Sequence, residues 1–260
     1  MSRYVALGSS MAAGPGIGPR ADGAPWAAGR SARNYPHLVA AKLGLDLVDV
    51  TYSGATTANV LREAQHCAPP QISALTGSEE LVTVTIGGND VGYVPMLFAA
   101  GLPRALRRLP LLGGVLRAQL DPQAREDALT EVAAALEEVG RTLRARSPRA
   151  MVLFVDYLTL LPPPGDSAPP LSDADVATGR HVATTLERLT AEAASVTGCG
   201  LVRAAEHSRA HHAWSAEPWT TRFGAPLPGR PAPLHPNAAG MRAVADLVVA
   251  QVTGEGSERR

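Results

Sequence analysis

Leu81-Val-Thr-Val-Thr-Ile-Gly-Gly-Asn-Asp90 decides the fold class. Its first six residues are all β-branched or apolar, the composition of a strand. Gly87-Gly88 stops the run, and the polar pair Asn89-Asp90 stands just beyond the stop. Outward from this stretch, strand-like and helix-like segments alternate. Upstream, Tyr4 to Gly8 is a short apolar run ending in glycine. Tyr35 to Leu43 has helical spacing through Leu38, Val39 and Leu43, with Gly44 suited to its end. Leu45 to Tyr52 is β-branched and alternates moderately. Downstream, Ala128 to Arg146 reads as a long amphipathic helix with a start signal at Asp121-Pro122. Met151-Val-Leu-Phe-Val155 is continuously apolar, as a strand covered on both faces must be. Asp173 to Val196 reads as a helix capped by Ser172, Gly200 to Ala205 as a short strand, and Pro236 to Val252 as the last helix.

The spacing predicts five strands, ending near residues 8, 51, 86, 155 and 204. Strands separated by helices pair in parallel through crossovers, which puts helices on both faces of the sheet. The expected fold is therefore α/β: a three-layer α/β/α sandwich around a mostly parallel five-stranded sheet, flavodoxin-like in its layout. No composition shift marks a second unit, so one domain is expected over residues 1–252, followed by a polar, frayed tail at 253–260.

The chain has 260 residues, of which 45% are hydrophobic and 18% charged, a balance that buries a core without staples. Its 24 Lys+Arg match 24 Asp+Glu, which argues against a nucleic-acid binder. The bases are nearly all Arg, with Lys42 alone of its kind, so arginine carries little information here. Cys67 and Cys199 are too few for a disulfide framework and are read as free thiols. Tyr4-Val-Ala-Leu7 is too short for a leader's apolar core, so the chain as written is expected in the cytoplasm, or outside the cell if it is a trimmed form. The most apolar long stretch, Tyr93 to Leu120, is interrupted by Arg104, Arg107, Arg108 and Arg117, which a bilayer centre disfavours. The oligomeric state is open.

Three segments break the pattern: Ser9 to Arg33, Leu161 to Leu171, and Trp214 to Leu234, which holds five prolines and ends beside His235. Long loops in a compact domain are commonly functional. In open α/β sheets ligands bind beyond the carboxyl ends of the strands. Three short polar motifs sit at such ends: Gly8-Ser-Ser10, Ser53-Gly54-Ala-Thr-Thr57 and Gly87-Gly-Asn-Asp90. A fourth, His235-Pro-Asn-Ala-Ala-Gly240, precedes the last helix. Asparagine occurs only at Asn34, Asn59, Asn89 and Asn237, so two of the four fall in these motifs.

This ordered set resembles the SGNH hydrolases, the GDSL esterase and lipase family, over residues 4 to about 250. The resemblance maps the family's Ser, Gly, Asn and His onto Ser10, Gly54, Asn89 and His235. It implies hydrolysis of carboxylic esters by a serine nucleophile, Ser10, with His235 as its base. A serine hydroxyl attacks only when a base takes its proton, and histidine titrates in the right range. The Ser10 and Gly54 N–H groups and the Asn89 amide would hold the oxyanion. Gly54 is expected to be glycine because backbone must approach the substrate closely. No metal or organic cofactor is implied. The expected partner is a small-molecule or lipid ester.

Two positions depart from the family pattern. Ser9 replaces the aspartate of Gly-Asp-Ser, and Ala232 stands where the acid of Asp-x-x-His belongs. Either a main-chain carbonyl of the Trp214–Leu234 loop or the Glu217 carboxylate is then expected to orient His235. With the acid missing, two other activities on the same scaffold are open: a catalytically weakened ester- or acyl-binding protein, and an acyltransferase. His207-x-x-x-His211 has a helical spacing that could grip a metal, but lacks the glutamate of His-Glu-x-x-His and reads as an exposed face. Met96-Leu-Phe98 and Leu109-Pro-Leu-Leu112 line an acyl pocket, form a lid, or simply cover the core. Asp156, at a strand end, caps a loop at most.

Overall fold

The computed structural model describes residues 2–103, 105–106 and 110–254. In chain order it runs β1 (Arg3–Gly8), α1 (Ser10–Ala13), α2 (Tyr35–Leu43), β2 (Asp46–Asp49), α3 (Thr57–Leu61), β3 (Glu79–Thr85), α4 (Tyr93–Gly101), α5 (Pro110–Gln119), α6 (Pro122–Arg146), β4 (Met151–Val155), α7 (Asp173–Thr197), β5 (Gly200–Val202), α8 (Ala204–His207) and α9 (Ala238–Thr253). Among the described residues the sheet has five strands in the order β2-β1-β3-β4-β5, and every pairing is parallel. The expected α/β sandwich is what forms. The order reverses between β1 and β3, whose carboxyl ends open the crevice where such sheets bind ligands.

Strand periodicity divides the core into two layers. Val5 and Leu7 of β1, Val82 and Val84 of β3, and Val152 and Phe154 of β4 point to the side covered by α6 and α7. Tyr4, Ala6, Leu81, Leu153 and Val155 point to the side covered by α2 and α9. Thr83 and Thr85 of β3 would leave buried hydroxyls on that second side. The Tyr4 hydroxyl meets Thr83 Oγ1 at 2.7 Å, and the Tyr35 hydroxyl meets Thr85 Oγ1 at 3.0 Å.

Several boundaries differ from expectation for identifiable reasons. The last helix starts at Ala238, not Pro236, because the Asn237 side chain caps it by accepting the N–H groups of Ala239 and Gly240. Pro236 instead bridges to Thr220. The sixth helix starts at its cap signal, Asp121, a full two turns before Ala128. β2 is only four residues long, since the Asp49 carboxylate turns the chain by accepting Thr51 N–H and Oγ1–H. Gly200 to Ala205 is strand only to Val202; Asp156 Oδ1 then accepts the Ala205 N–H at the start of α8. Ser9 to Arg33 is not wholly loop, since its first residues form α1. Thr253 belongs to α9, while residues 255–260 of the expected tail lie outside the described residues. Cys67 and Cys199 are free. Among the described residues no helix is long and apolar enough to cross a membrane.

Candidate active site

Ser10 opens α1 directly after β1, and the turn between them is tight. Gly8 has φ +140°, and a Cβ there would lie 2.5 Å from the Thr85 carbonyl oxygen. The adjacent strand approaches so closely that only glycine fits. The buried Gln71 side chain takes both backbone groups of Gly8, accepting its N–H at 2.7 Å and donating to its carbonyl at 3.0 Å. Ser10 is thereby held at the carboxyl end of β1 on a rigid support.

His235 reaches Ser10 from the far end of the chain, with Nε2 2.9 Å from the Ser10 Oγ. Its other nitrogen, Nδ1, lies 2.7 Å from the Pro233 carbonyl oxygen. A carbonyl can only accept, so the Nδ1 carries the proton and the Nε2 lone pair faces the serine hydroxyl. The loop that presents the ring is tied down by Thr221. Its Oγ1 donates to the Ala232 carbonyl at 2.6 Å and accepts the His235 N–H at 3.2 Å. Leu234, between them, adopts φ +60° and is completely buried. Burial of the imidazole pushes its pKa below the ordinary histidine value, against a smaller upward pull from the Pro233 carbonyl.

Of the two orienters the sequence leaves open, the structure brings only the carbonyl to His235. Glu217 is exposed, and its contact is through its own carbonyl, which accepts from the His211 Nδ1 at 2.8 Å. His211 also stacks on Trp219, with centroids 4.1 Å apart. Among the described residues no cluster of three or more His, Cys, Asp or Glu is placed to hold a metal.

Gly54 and Asn89 face the same space as Ser10. Gly54 has φ +82°, and a Cβ there would meet nothing nearer than the Gln65 Nε2 at 3.5 Å. Its backbone conformation, rather than crowding by the protein, requires glycine. The Asn89 Nδ2 donates to the Ala55 carbonyl at 2.8 Å, which orients the amide and leaves its second N–H. Asp90 holds these two segments together: its carboxylate accepts the Thr57 N–H at 3.0 Å and the Thr57 hydroxyl at 2.5 Å. Tyr157 similarly joins the first and third motifs, accepting the Gly88 N–H at 2.9 Å and meeting the Ser9 Oγ at 3.2 Å. Burial drives the Tyr157 phenol up to about 12, so it stays neutral.

The cavity above Ser10 has a volume of about 600 Å³. Its polar end is formed by Ser10, Gly54, Asn89 and His235; its apolar end by Val94, Phe98 and Ala99 of α4 and Val115 and Leu116 of α5. Met96 is turned away into the core. Of the Leu109–Leu112 stretch, Leu109 lies outside the described residues.

A model of the GDSL-like lipase/acylhydrolase family matches residues 6–243. The chain belongs to this family. It is 34% identical over 249 residues to Lipase 2 of Streptomyces coelicolor, covering 94% of this chain and 83% of that protein. The extracellular lipase of Streptomyces rimosus superposes with a TM-score of 0.78 at 26% identity, over 96% of this chain and 99% of the other. The phospholipase A1 of Streptomyces albidoflavus has the same fold, with a TM-score of 0.76 at 24% identity over 96% and 98% of the two chains. This GDSL hydrolase is accordingly a carboxylic ester hydrolase.

Sequence reasoning missed four residues of this GDSL hydrolase's site: Gln71, Asp90, Tyr157 and Thr221. Each acts across 11 or more positions, the nearest being the bond from Thr221 to Ala232. Only Asp90, beside Asn89 in a short polar motif, stood where a local pattern could mark it.

Proposed function

We propose that this hydrolase cleaves its ester by acyl transfer through Ser10, with His235 as the base and no carboxylate in a triad. The observation that carries the reading is the 2.9 Å approach of His235 Nε2 to Ser10 Oγ, with Nδ1 engaged by Pro233. His235 takes the hydroxyl proton as Ser10 attacks the ester carbonyl. The tetrahedral oxyanion is held by the N–H groups of Ser10 and Gly54 and by Asn89 Nδ2, none of which asks for a metal or cofactor. His235 then gives its proton to the leaving alcohol. In the second half it takes a proton from water as the water attacks the acyl-enzyme, then returns that proton to the Ser10 Oγ as the acid leaves.

The imidazolium formed in each half needs a partner at Nδ1. The Pro233 carbonyl supplies a fixed dipole there, doing with the main chain what the absent acid at Ala232 would do with charge. The apolar end of the cavity, between α4 and α5, takes the hydrocarbon part of the ester. The names of its Streptomyces relatives, lipase and phospholipase A1, support a lipid-derived substrate. The description of one of them as extracellular supports secretion.

The test is covalent. A p-nitrophenyl alkylphosphonate added to the wild-type protein should stop ester turnover and add one phosphonyl mass to the peptide carrying Ser10. The Ser10→Ala protein should take up no label and should hydrolyse p-nitrophenyl butyrate about 10³-fold or more slowly. Full activity in Ser10→Ala, or labelling at another residue, would remove the assignment.

A further inference from the structure

The segment that carries Gly54 is a four-residue turn, Tyr52 to Ala55, closed by the Ala55 N–H on the Tyr52 carbonyl at 3.1 Å. Gly54, third in the turn, has φ +82°, while Ser53 before it is not among the residues of positive φ. That combination is a type II turn. Types I and II differ by a half-rotation of the central peptide, here the Ser53–Gly54 unit. Glycine in third place leaves both forms open, because it adopts either sign of φ at little cost. The unit is trans, so its carbonyl and its N–H point in opposite directions. Turning it over would exchange the two and put an oxygen where the N–H had been. Among the described residues the Gly54 N–H has no protein acceptor, and Gly54 stands exposed on the wall of the cavity at Ser10.

One side chain selects between the two forms. The Gln65 Nε2 donates to the Ser53 carbonyl at 2.8 Å. The rest of Ser53 is held by the Ala28 carbonyl, which accepts its N–H at 3.0 Å and its hydroxyl at 2.8 Å. Those bonds fix the peptide before Ser53 and the side chain, but not the peptide after it. Gln65 is itself built into place. It exchanges both backbone hydrogen bonds with Ala68, each at 3.0 Å. His66, inside that turn, takes φ +54°, and its ring stacks on Tyr52 with centroids 5.7 Å apart. The Gln65 Oε1 is buried with no partner among the described residues. A left-handed non-glycine residue and an orphaned acceptor are each destabilising by themselves. Together they deliver one donor to one carbonyl.

We propose that Gln65 is a positioning residue for the reaction at Ser10. By holding the Ser53 carbonyl it keeps the turn in the form that presents the Gly54 N–H to the oxyanion. The inference rests on the mechanism proposed above, in which that N–H is an oxyanion donor. Gln65 touches no reacting atom. Its bond also polarises the shared amide, which strengthens the N–H as a donor.

Two variants test this in the full chain. Gln65→Met keeps the length of the side chain and removes the donor; Gln65→Glu keeps the planar end and, when ionised, can only accept. Kinetics are read on p-nitrophenyl butyrate. Active sites are counted with the p-nitrophenyl alkylphosphonate reacted to completion, so unfolded protein does not enter kcat. A trifluoromethyl ketone gives the second readout: the Ser10 Oγ adds to its carbonyl carbon, His235 takes the hydroxyl proton, and the former ketone oxygen carries the charge. In both variants kcat should fall about tenfold to a hundredfold, no more than the roughly 10²–10³ of a donor lost outright, with KM within about twofold. The inhibition constant of the ketone should rise in proportion to the fall in kcat/KM. Where one variant yields no active sites, the other decides. The proposal is overturned by kcat within about twofold of the wild type, by a change in KM alone, by a fall in kcat without weaker ketone binding, or by active sites lost in both variants. Ser10→Ala separates the two readings. If it is inactive while the Gln65 variants are unimpaired, only this inference fails; if it is active, both do.

Discussion

Thr221 binds both backbone groups of His235, one through its own N–H and the other through its hydroxyl. The Thr221 N–H donates to the His235 carbonyl at 2.9 Å, and the His235 N–H returns to the Thr221 hydroxyl at 3.2 Å. The hydroxyl also donates to Ala232, so one side chain fixes the entry and exit of the loop that carries the imidazole. Reaction rates depend on sub-ångström placement of such groups.

Removing that hydroxyl tests the arrangement. Thr221→Val keeps the shape and loses the bonds to Ala232 and His235. The expected result is a fall in kcat of about tenfold with KM little changed. Glu217→Ala, in the same proline-rich loop, should leave kcat within about twofold, since its carboxylate is exposed and His235 Nδ1 is already engaged. Steady-state kinetics on one p-nitrophenyl ester reads both; a large loss in Glu217→Ala would restore the carboxylate as orienter.

The pH profile follows from the sign of the His235 shift. As the proposed base His235 must be neutral, and burial lowers its pKa. As pH falls, kcat/KM should therefore hold until below about 6.5, the ordinary histidine value, and only then decline. Ala232→Asp puts a negative charge near the ring and should move this acid limb upward. An acid limb above 6.5 in the wild type would contradict the desolvated environment.

Asn89→Ala removes an amide whose position is set by the Ala55 carbonyl. In the proposed mechanism its contribution is made to the developing oxyanion rather than to the bound ester. We expect kcat to fall by roughly 10²–10³ with KM changed only slightly. A change confined to KM would mean the amide holds the ground state.

Phe98 lines the apolar end of the cavity and packs on Phe223, with ring centroids 5.2 Å apart. Phe98→Ala should shift the preference toward longer acyl chains. The kcat/KM ratio of decanoate to butyrate ester should rise by about fivefold or more. An unchanged ratio would place the acyl chain elsewhere.

Asp156 offers a stability test. Burial raises its carboxyl to about 7, with the Ala205 N–H opposing the rise. A carboxyl whose folded pKa exceeds its unfolded value stabilises the protein when protonated. That stability is fully present below the unfolded pKa of about 3.9 and is lost as pH rises toward 7. Asp156→Asn should therefore match the wild type near pH 4 and be the more stable protein at pH 8, by an amount on the order of a few kcal/mol. Denaturant melts at the two pH values check the crossover; equal differences at both would show that Asp156 does not titrate in this range.

Much of this architecture is legible in the chain because it is written locally. The strand at Leu81–Ile86, the helix at Tyr35–Leu43 with Gly44 behind it, and the Ser172 cap each depend on neighbours within a few positions. The four polar motifs are equally local, and the sheet order then gathers Ser10, Gly54 and Asn89 at the carboxyl ends of adjacent strands. What sequence could not show is set by contacts between distant segments. Thr221 is an ordinary threonine until the loop folds back on His235. Tyr157 is one more residue at a strand end until its hydroxyl meets Gly88. The start of α9 differs from expectation because Pro236 suits a first turn, while the Asn237 side chain caps one and sets the start at Ala238.

The Pro233 carbonyl has a further consequence, for heredity. A carboxylate in a triad is encoded by a codon, and a single base change can delete it. A peptide carbonyl belongs to no codon: any residue at position 233 brings one. If Ser10 and His235 act as proposed, scanning mutagenesis would return both of them and miss the carbonyl that accepts from the imidazole. The acceptor would reveal itself only through changes that bend the loop, at Thr221 or Leu234, or through replacement of the amide itself by an ester during chemical synthesis. On the proposed mechanism, alanine at position 232 is compatible with turnover, because the acceptor is an atom that point mutation does not remove.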